Sequence, residues 1–389
     1  MLENLLVFSL GKDNLQIGYK MEEVVMSEKI SVISSYDFVK HEVNYGSLFQ
    51  YFALQKFLKQ RGHHVEWIRF TYKKSIVKKF RDEFLRTFND SYCQNKICSL
   101  KFRCFIKNHL QVTAKEYSSG SEIKDGCKSS SVFITGSDQV WGAPIEENFL
   151  TFAGNGQKRV AYAASFGRKE IEKNMLDVIS PWIYSLDYIS LREQSGKAIC
   201  SQAGRDDAVV VPDPTLLLNS NEYPVELITE EKPYIFGYFL NLKDETTLPY
   251  NKIKEFFEQS QDYDLISCVT SGTKVVPDIL KQRRVFPSPE EWIGYYKSAE
   301  VIFTNSFHGT VFALIFQKPF VVFLQNGVTG KQNERIFNLL KTFNLTKNIY
   351  NSSNSIQDIL DISINWEAVK KIVRNQQKIA TDFFENAGL

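Results

Sequence analysis

The chain has 389 residues, of which 43% are hydrophobic and 24% charged, with 20 Gly and 11 Pro. That balance excludes a disordered, collagen-like or low-complexity chain. Lys+Arg 47 against Asp+Glu 45 leaves a formal +2, which excludes a polycation built for nucleic acid, and the length predicts two domains.

Residues 1–9 are apolar but carry no basic leader and no small-residue cleavage site, while Met26 opens MSEKISVISSYD, which reads as a fresh start into a strand. Residues 1–25 are therefore expected to be an N-terminal extension. Strands are expected at Ile30–Ser34, Val65–Phe70, Val132–Thr135, Val160–Ala164, Tyr188–Leu191, Val209–Val211, Tyr234–Leu240, Leu265–Val269, Val301–Thr304 and Phe320–Phe323. Most are continuous apolar runs, the pattern of strands buried on both faces of a parallel sheet. Helices are expected between them at Ser47–Gln60, Ile76–His109, Lys169–Ser185, Glu193–Ala203, Tyr250–Gln259, Pro289–Ser298, Thr310–Gln317, Asn333–Phe343 and Trp366–Glu385. The alternation predicts an α/β chain of doubly wound architecture. Pro212-Asp213-Pro214 breaks regular structure, and the stretch to Lys232 reads as a linker. The expected division is a Rossmann-like domain at 26–212, a second at 213–362 and a terminal helix at 363–389, with ligands bound at the strand ends facing a cleft.

Six cysteines, at 93, 98, 104, 127, 200 and 268, form no C-x-x-C pair, and only five histidines accompany them. No metal site is legible, and free thiols in a reducing cytoplasm are expected. Residues 73–107 hold ten Lys/Arg against three acids, interleaved with Phe80, Phe84, Phe88, Tyr92, Phe102 and Phe105. Two readings stand: a solvated helical pair covering one sheet, or a face lying on an anionic membrane or near a diphosphate-lipid.

Four segments carry candidate chemistry. In Thr304–Thr310 an apolar strand ends in small polar residues and a helix follows, with Asn305 or Ser306 able to cap it. The free N–H groups of such a turn favour phosphate or carboxylate, and His308 sits in it. In Phe133–Gly142 a strand runs into a glycine turn bearing Ser137, Asp138 and Gln139; Asp138 can orient or deprotonate a hydroxyl, or can cap the turn. Asn44-Tyr45-Gly46-Ser47 follows the first strand, where a phosphate or sugar turn belongs, but it is neither G-x-G-x-x-G nor a Walker loop, so neither NAD nor ATP is supported. Arg192 ends another strand and can present its fork to a carboxylate or phosphate, or pair with Glu193; Arg335 is a second cationic candidate.

Together the blocks NYGSLFQYFAL, ITGSDQVW, YAASFG, SLREQSG, PDPTLLL and TNSFHGTVFALIFQKPF, in that order, resemble the polysaccharide pyruvyl transferase family. The resemblance implies two Rossmann-like domains facing a cleft, glycosyltransferase-B-like. It also implies transfer of a pyruvyl group from phosphoenolpyruvate to two hydroxyls of a sugar, as a ketal, during assembly of a bacterial exopolysaccharide or capsule. Phosphoenolpyruvate is then a donor substrate and no cofactor is expected. The acceptor is a sugar, with an undecaprenyl-diphosphate-linked form and peripheral association with the inner face of the membrane among the alternatives. The family's general acid falls on His308, and an arginine contacting phosphoenolpyruvate falls on Arg192. Better-studied members carry a donor-binding arginine two positions before the histidine, where this chain has Ser306. Donor binding then rests on Arg335 or on the helix start at Ser306, Gly309 and Thr310, and the acceptor on Asn44, Gly46, Ser137 and Gln139. A nucleotide-sugar-dependent glycosyltransferase of the same fold and a non-catalytic glycan- or lipid-binding scaffold are the competing readings.

Overall fold

The computed structural model describes residues 27–34, 43–71, 91–260, 262–270, 273–326 and 333–389, and the side chains of 91–96 are not included. The expected extension at 1–25 and residues 73–90 of the basic segment 73–107 lie outside the described residues.

Two parallel sheets organise the chain. The first takes β1 (Lys29–Ile33), β2 (His64–Phe70), β3 (Val112–Tyr117), β4 (Val132–Thr135), β5 (Lys158–Ala164), β6 (Tyr188–Leu191) and β7 (Val209–Val210) in the order β3-β2-β1-β4-β5-β6-β7. The second takes β8 (Tyr234–Leu240), β9 (Asp264–Thr270), β10 (Val301–Thr304) and β11 (Phe320–Val322) in the order β11-β10-β8-β9. Each reverses strand order beside its first strand, the switch point at which doubly wound sheets open a crevice. The central strands β4 and β10 are buried at every residue, as their unbroken apolar runs require. β3 escaped the sequence reading because it is an edge strand whose middle residues are exposed, so VTAKEY lacks an apolar run.

Helices cover both sheets: α1 (Tyr45–Gln60), α2 (Ser91–His109), α3 (Lys173–Tyr184), α4 (Gln194–Gln202), α5 (Tyr250–Gln259), α6 (Pro289–Ser298), α7 (Phe307–Ile315), α8 (Asn333–Thr342) and α9 (Trp366–Asn386). Local chemistry starts several of them. Asn44 caps α1 by accepting from Ser47 N at 3.1 Å. Ser288 and Glu291 form a capping box on α6, with Pro289 in its first turn. α7 starts three residues before the expected Thr310, because the Ser306 hydroxyl accepts from Gly309 N and holds the turn helical.

One apolar core runs through both domains. Tyr45 and Phe49 of α1 stack on Trp292 of α6, with centroids 5.2 and 5.6 Å apart, and Phe49 meets Phe312 of α7 at 5.3 Å. The Tyr45 hydroxyl donates to Pro287 O at 2.6 Å. The chain crosses between sheets at residues 211–233 and returns through α9. There Phe384 stacks on Tyr162 at 4.6 Å, Arg61 lies 3.4 Å from Glu385, and Lys158 donates to Ala387 O. These are two Rossmann-like units, each built on a parallel sheet, clasped by the last helix. Among the described residues, no helix is long and apolar enough to cross a membrane.

Candidate active site

The carboxyl ends of β4, β6, β7, β10 and β11 converge between the two sheets, and the polar side chains that follow them meet there. Asp213, just past β7, is the hub. Its side chain is 1% exposed. Oδ1 accepts from Thr215 N at 3.0 Å and Thr215 Oγ1 at 2.7 Å. Oδ2 accepts from Arg192 Nη1 at 3.1 Å and from Gln50 Nε2, and lies 3.4 Å from His308 Nε2. The histidine contact is an ion-pair distance without hydrogen-bond alignment.

His308 stands in the first turn of α7, on the second domain, and leans across to α1 of the first. A Cβ added to Gly46 would fall on the imidazole ring, so α1 can approach only with glycine there. The NYGS block thus has a division of labour. Asn44 caps the helix, Tyr45 packs between domains, Gly46 leaves room for the imidazole, and the Ser47 hydroxyl donates to Asp138 Oδ2 at 2.9 Å.

The turn after β4 aims Asp138. Gly136, at φ 124°, passes so close to Tyr162 O that no side chain fits. Asp138 itself holds φ 72°, a left-handed conformation that aspartate tolerates better than most residues. Its other oxygen faces two guanidiniums, Arg192 Nη2 at 3.6 Å and Arg335 Nη1 at 3.9 Å. Arg192 also donates from Nε to Glu193 at 3.1 Å, so three carboxylates surround one cation whose side chain is 3% exposed. Nη2 is nonetheless buried without a hydrogen-bond partner. Both guanidiniums lie over the Phe307 ring, at 5.1 and 5.8 Å from its centroid.

Arg335 arrives from the second domain. Asn333 fixes the start of α8 by bonding Gln325 through N and O, and Lys169 pairs with Glu334 across the cleft at 3.3 Å. The Gln139 amide oxygen, turned toward Arg335, accepts from its two terminal nitrogens at 3.0 and 3.2 Å.

Charge compensation differs sharply within the cluster. Burial would raise the pKa of Asp213, but the His308 charge and contact, then Arg192 and the Thr215 hydroxyl, hold it far below the carboxylate range. Asp138 is likewise lowered: burial opposes, and Arg192, His308 and Arg335 prevail. Burial opposes the charge of Arg192 too, yet Glu193, Asp138 and Asp213 raise its pKa above the ordinary value. Arg335 goes the other way: burial and the neighbouring Arg192 lower it despite Asp138, Glu193 and Asp213. Arg335 is the under-compensated cation. Among the described residues, no cluster of three or more His, Cys, Asp or Glu is placed to hold a metal ion.

The profile of the family described as polysaccharide pyruvyl transferase matches residues 44–326. The chain belongs to the polysaccharide pyruvyl transferase family. The match begins at the α1 cap and takes in Asp138, Arg192, Asp213 and His308, but stops short of Arg335. No curated protein matches the chain. Solved structures of similar shape include UDP-GlcNAc 2-epimerase from Neisseria meningitidis bound to UDP-GlcNAc (10% identity, 92% of this chain, 99% of that chain, TM-score 0.46). Anabaena HepE in complex with UDP and glucose is another (10%, 92%, 100%, 0.49), as is the glycosyltransferase SnogD from Streptomyces nogalater (12%, 91%, 96%, 0.41).

In this pyruvyl transferase family member, His308, Asp138, Arg192, Arg335 and Gln139 share one cluster. Ser306, Gly309 and Thr310 form the start of α7. Ser306 caps, Gly309 lets α7 close on Thr304, and the Thr310 hydroxyl donates to Ser306 O at 3.0 Å. Asn44 is engaged as a cap, and Ser137 donates to Ala163 O at 3.0 Å while accepting from Gln50. Asp213, Gln50 and Phe307 belong to the cluster and were not singled out as site residues from sequence; Glu193 was named only as a partner for Arg192, a pair that the structure forms, and Ser47 only as part of the turn after β1. The one signal for Asp213 was its place in the PDPTLLL block, where the two prolines suggested only a break.

Proposed function

We propose that this chain transfers a pyruvyl group from phosphoenolpyruvate to two hydroxyls of a sugar, forming a cyclic ketal in surface-glycan assembly. The observation that carries the reading is one imidazole, His308, set beside two guanidiniums and a carboxylate at converging strand ends, in a chain of the pyruvyl transferase family.

His308 delivers a proton to C3 of the enol, and C2 becomes electrophilic. An imidazole suits this role because a ring nitrogen can carry the proton and hand it on. Arg335 and Arg192 Nη2 hold the donor's carboxylate and phosphate. A first hydroxyl bonds to C2 and gives its proton to Asp138. The C2–O bond to phosphorus then breaks with its electron pair on phosphate, and the second hydroxyl closes the ring. Of the two hydroxyl protons, one makes good the proton His308 gave and the other leaves with phosphate. Asp213 touches no substrate in this scheme; it orients His308 and Arg192.

The test is incubation with phosphoenolpyruvate and a panel of sugars, free and polyprenyl-diphosphate-linked, reading phosphate release and a pyruvyl gain in mass. Both signals are expected with at least one acceptor. Turnover of a nucleotide sugar with neither signal would overturn the proposal in favour of a glycosyltransferase.

A further inference from the structure

The cluster presents an electrostatic difficulty to its own donor. Asp138, Glu193 and Asp213 supply three negative charges against the two of Arg192 and Arg335, so the site is neutral only when His308 is charged. A phosphate ester bearing a carboxylate adds two or more negative charges to this space. Asp213 and Glu193 cannot yield: both are hydrogen-bonded to Arg192 at 3.1 Å, and Asp213 also to Thr215 and Gln50.

Asp138 is different. Its anchored oxygen is held by Ser47 at 2.9 Å, but its free oxygen stands 3.6 and 3.9 Å from the guanidiniums, beyond hydrogen-bond length. Arg192 Nη2 keeps a buried donor without an acceptor, and Arg335 keeps an under-compensated charge. Arg192 Nη2, and those Arg335 N–H groups that Gln139 does not take, therefore remain available to a better-placed anion. Asp138 and Arg335 are also the more accessible members of the cluster, at 20% and 13% side-chain exposure.

We infer that Asp138 is an internal counter-anion that competes with the incoming donor for Arg192 and Arg335, so that donor binding is what releases it to act on the acceptor hydroxyl. The inference rests on the proposed reaction for the second half of that statement and on the distances and charges of the cluster for the first. While the guanidiniums face it, the carboxylate is held below its usual range and is a weak base. A donor anion that satisfies those guanidiniums removes the cause, and Asp138 then becomes a stronger base at the moment a hydroxyl needs one. No movement of the Asp138 backbone is required, because Ser47 retains its anchored oxygen. The binding order that results is donor first.

Asp138→Asn and Asp138→Gly separate the two halves. Both replacements suit φ 72°, so the turn is preserved; unchanged circular dichroism and melting check this. Calorimetric titration of wild type and variants with phosphoenolpyruvate and with inorganic phosphate is expected to show about tenfold tighter binding in both variants, while turnover falls by ~100-fold or more. Equal or weaker anion binding in both variants overturns the inference whatever the wild type catalyses. Tighter phosphate binding without any pyruvyl transfer in the wild type would leave the competition standing and remove the reaction.

Discussion

Asp213→Asn tests whether the buried hub organises the site. The carboxylate has two accepting oxygens, one facing Arg192, Gln50 and His308 and the other facing two donors of Thr215. An amide has one acceptor, so either orientation of the substituted side chain sets its NH2 against a donor. At an effective dielectric of ~20, a unit pair 3.1 Å apart is worth about 5 kcal/mol before desolvation is subtracted. Removing one partner of a buried pair costs about 3–5 kcal/mol. Arg192 keeps Glu193 at 3.1 Å, which places the expected loss near the lower end, about 3 kcal/mol. The pH dependence follows from the depressed pKa. The contribution of Asp213 is complete above its unfolded pKa of ~3.9 and is lost as pH falls through the lower folded value. Urea denaturation of wild type and variant from pH 7 to pH 3 should therefore show a gap that is widest at neutrality and narrows below about pH 4. Turnover should fall by ~100-fold at pH 7, because the imidazole and guanidinium lose their common anchor. A gap absent at pH 7, or one that does not narrow in acid, would falsify the assignment of Asp213 as a charged hub.

His308→Ala should keep the fold and lower phosphate release by ~100- to 10,000-fold; near-normal turnover would remove the acid role. Gly46→Ala places a methyl on the imidazole, so activity should drop by ~100-fold for a stability cost of about 1–3 kcal/mol; a crystal structure with His308 unmoved and activity intact would contradict the packing argument. The two arginines should separate. Arg335→Ala should weaken donor binding by ~10-fold or more with little effect on melting, since its charge is under-compensated. Arg192→Ala leaves three carboxylates facing one another and should cost about 3–5 kcal/mol, read by urea denaturation; equal melting of the two variants would refute the distinction.

The family relation sharpens what Arg335 has to do. The profile match ends at residue 326, and the position two before His308 carries a serine whose hydroxyl caps α7. The under-compensated guanidinium in the cluster comes instead from α8, beyond the matched region and on the second domain. Under the proposed reaction, donor affinity would depend on how α8 sits, and α8 is held at its start by Asn333 and flanked by the Lys169–Glu334 pair.

Local chemistry made much of the framework legible in the residues themselves. Strands such as VFIT, YISL and VIFT are mostly apolar because both their faces are covered, and that needs no knowledge of partners. The crossing near Pro212 announced itself through proline, and His308, Asp138 and Arg192 stood out because polar residues at the ends of buried strands have few structural reasons to be there. β3 did not announce itself, since an edge strand has one face to satisfy and can alternate freely with charge.

Tertiary structure alone decided which of these polar groups share a charge. Gln50 meets Asp213 across 163 residues of chain, and Ser47 meets Asp138 across 91. No periodicity or propensity encodes such pairings, because they arise from the order in which one parallel sheet sets distant strands and the helix after β1 side by side. Asp213, read locally, was a breaker between prolines. Only the convergence of Arg192, His308 and Gln50 on its carboxylate, away from water, makes it the centre of the site, since buried charge must find its partners wherever the fold delivers them.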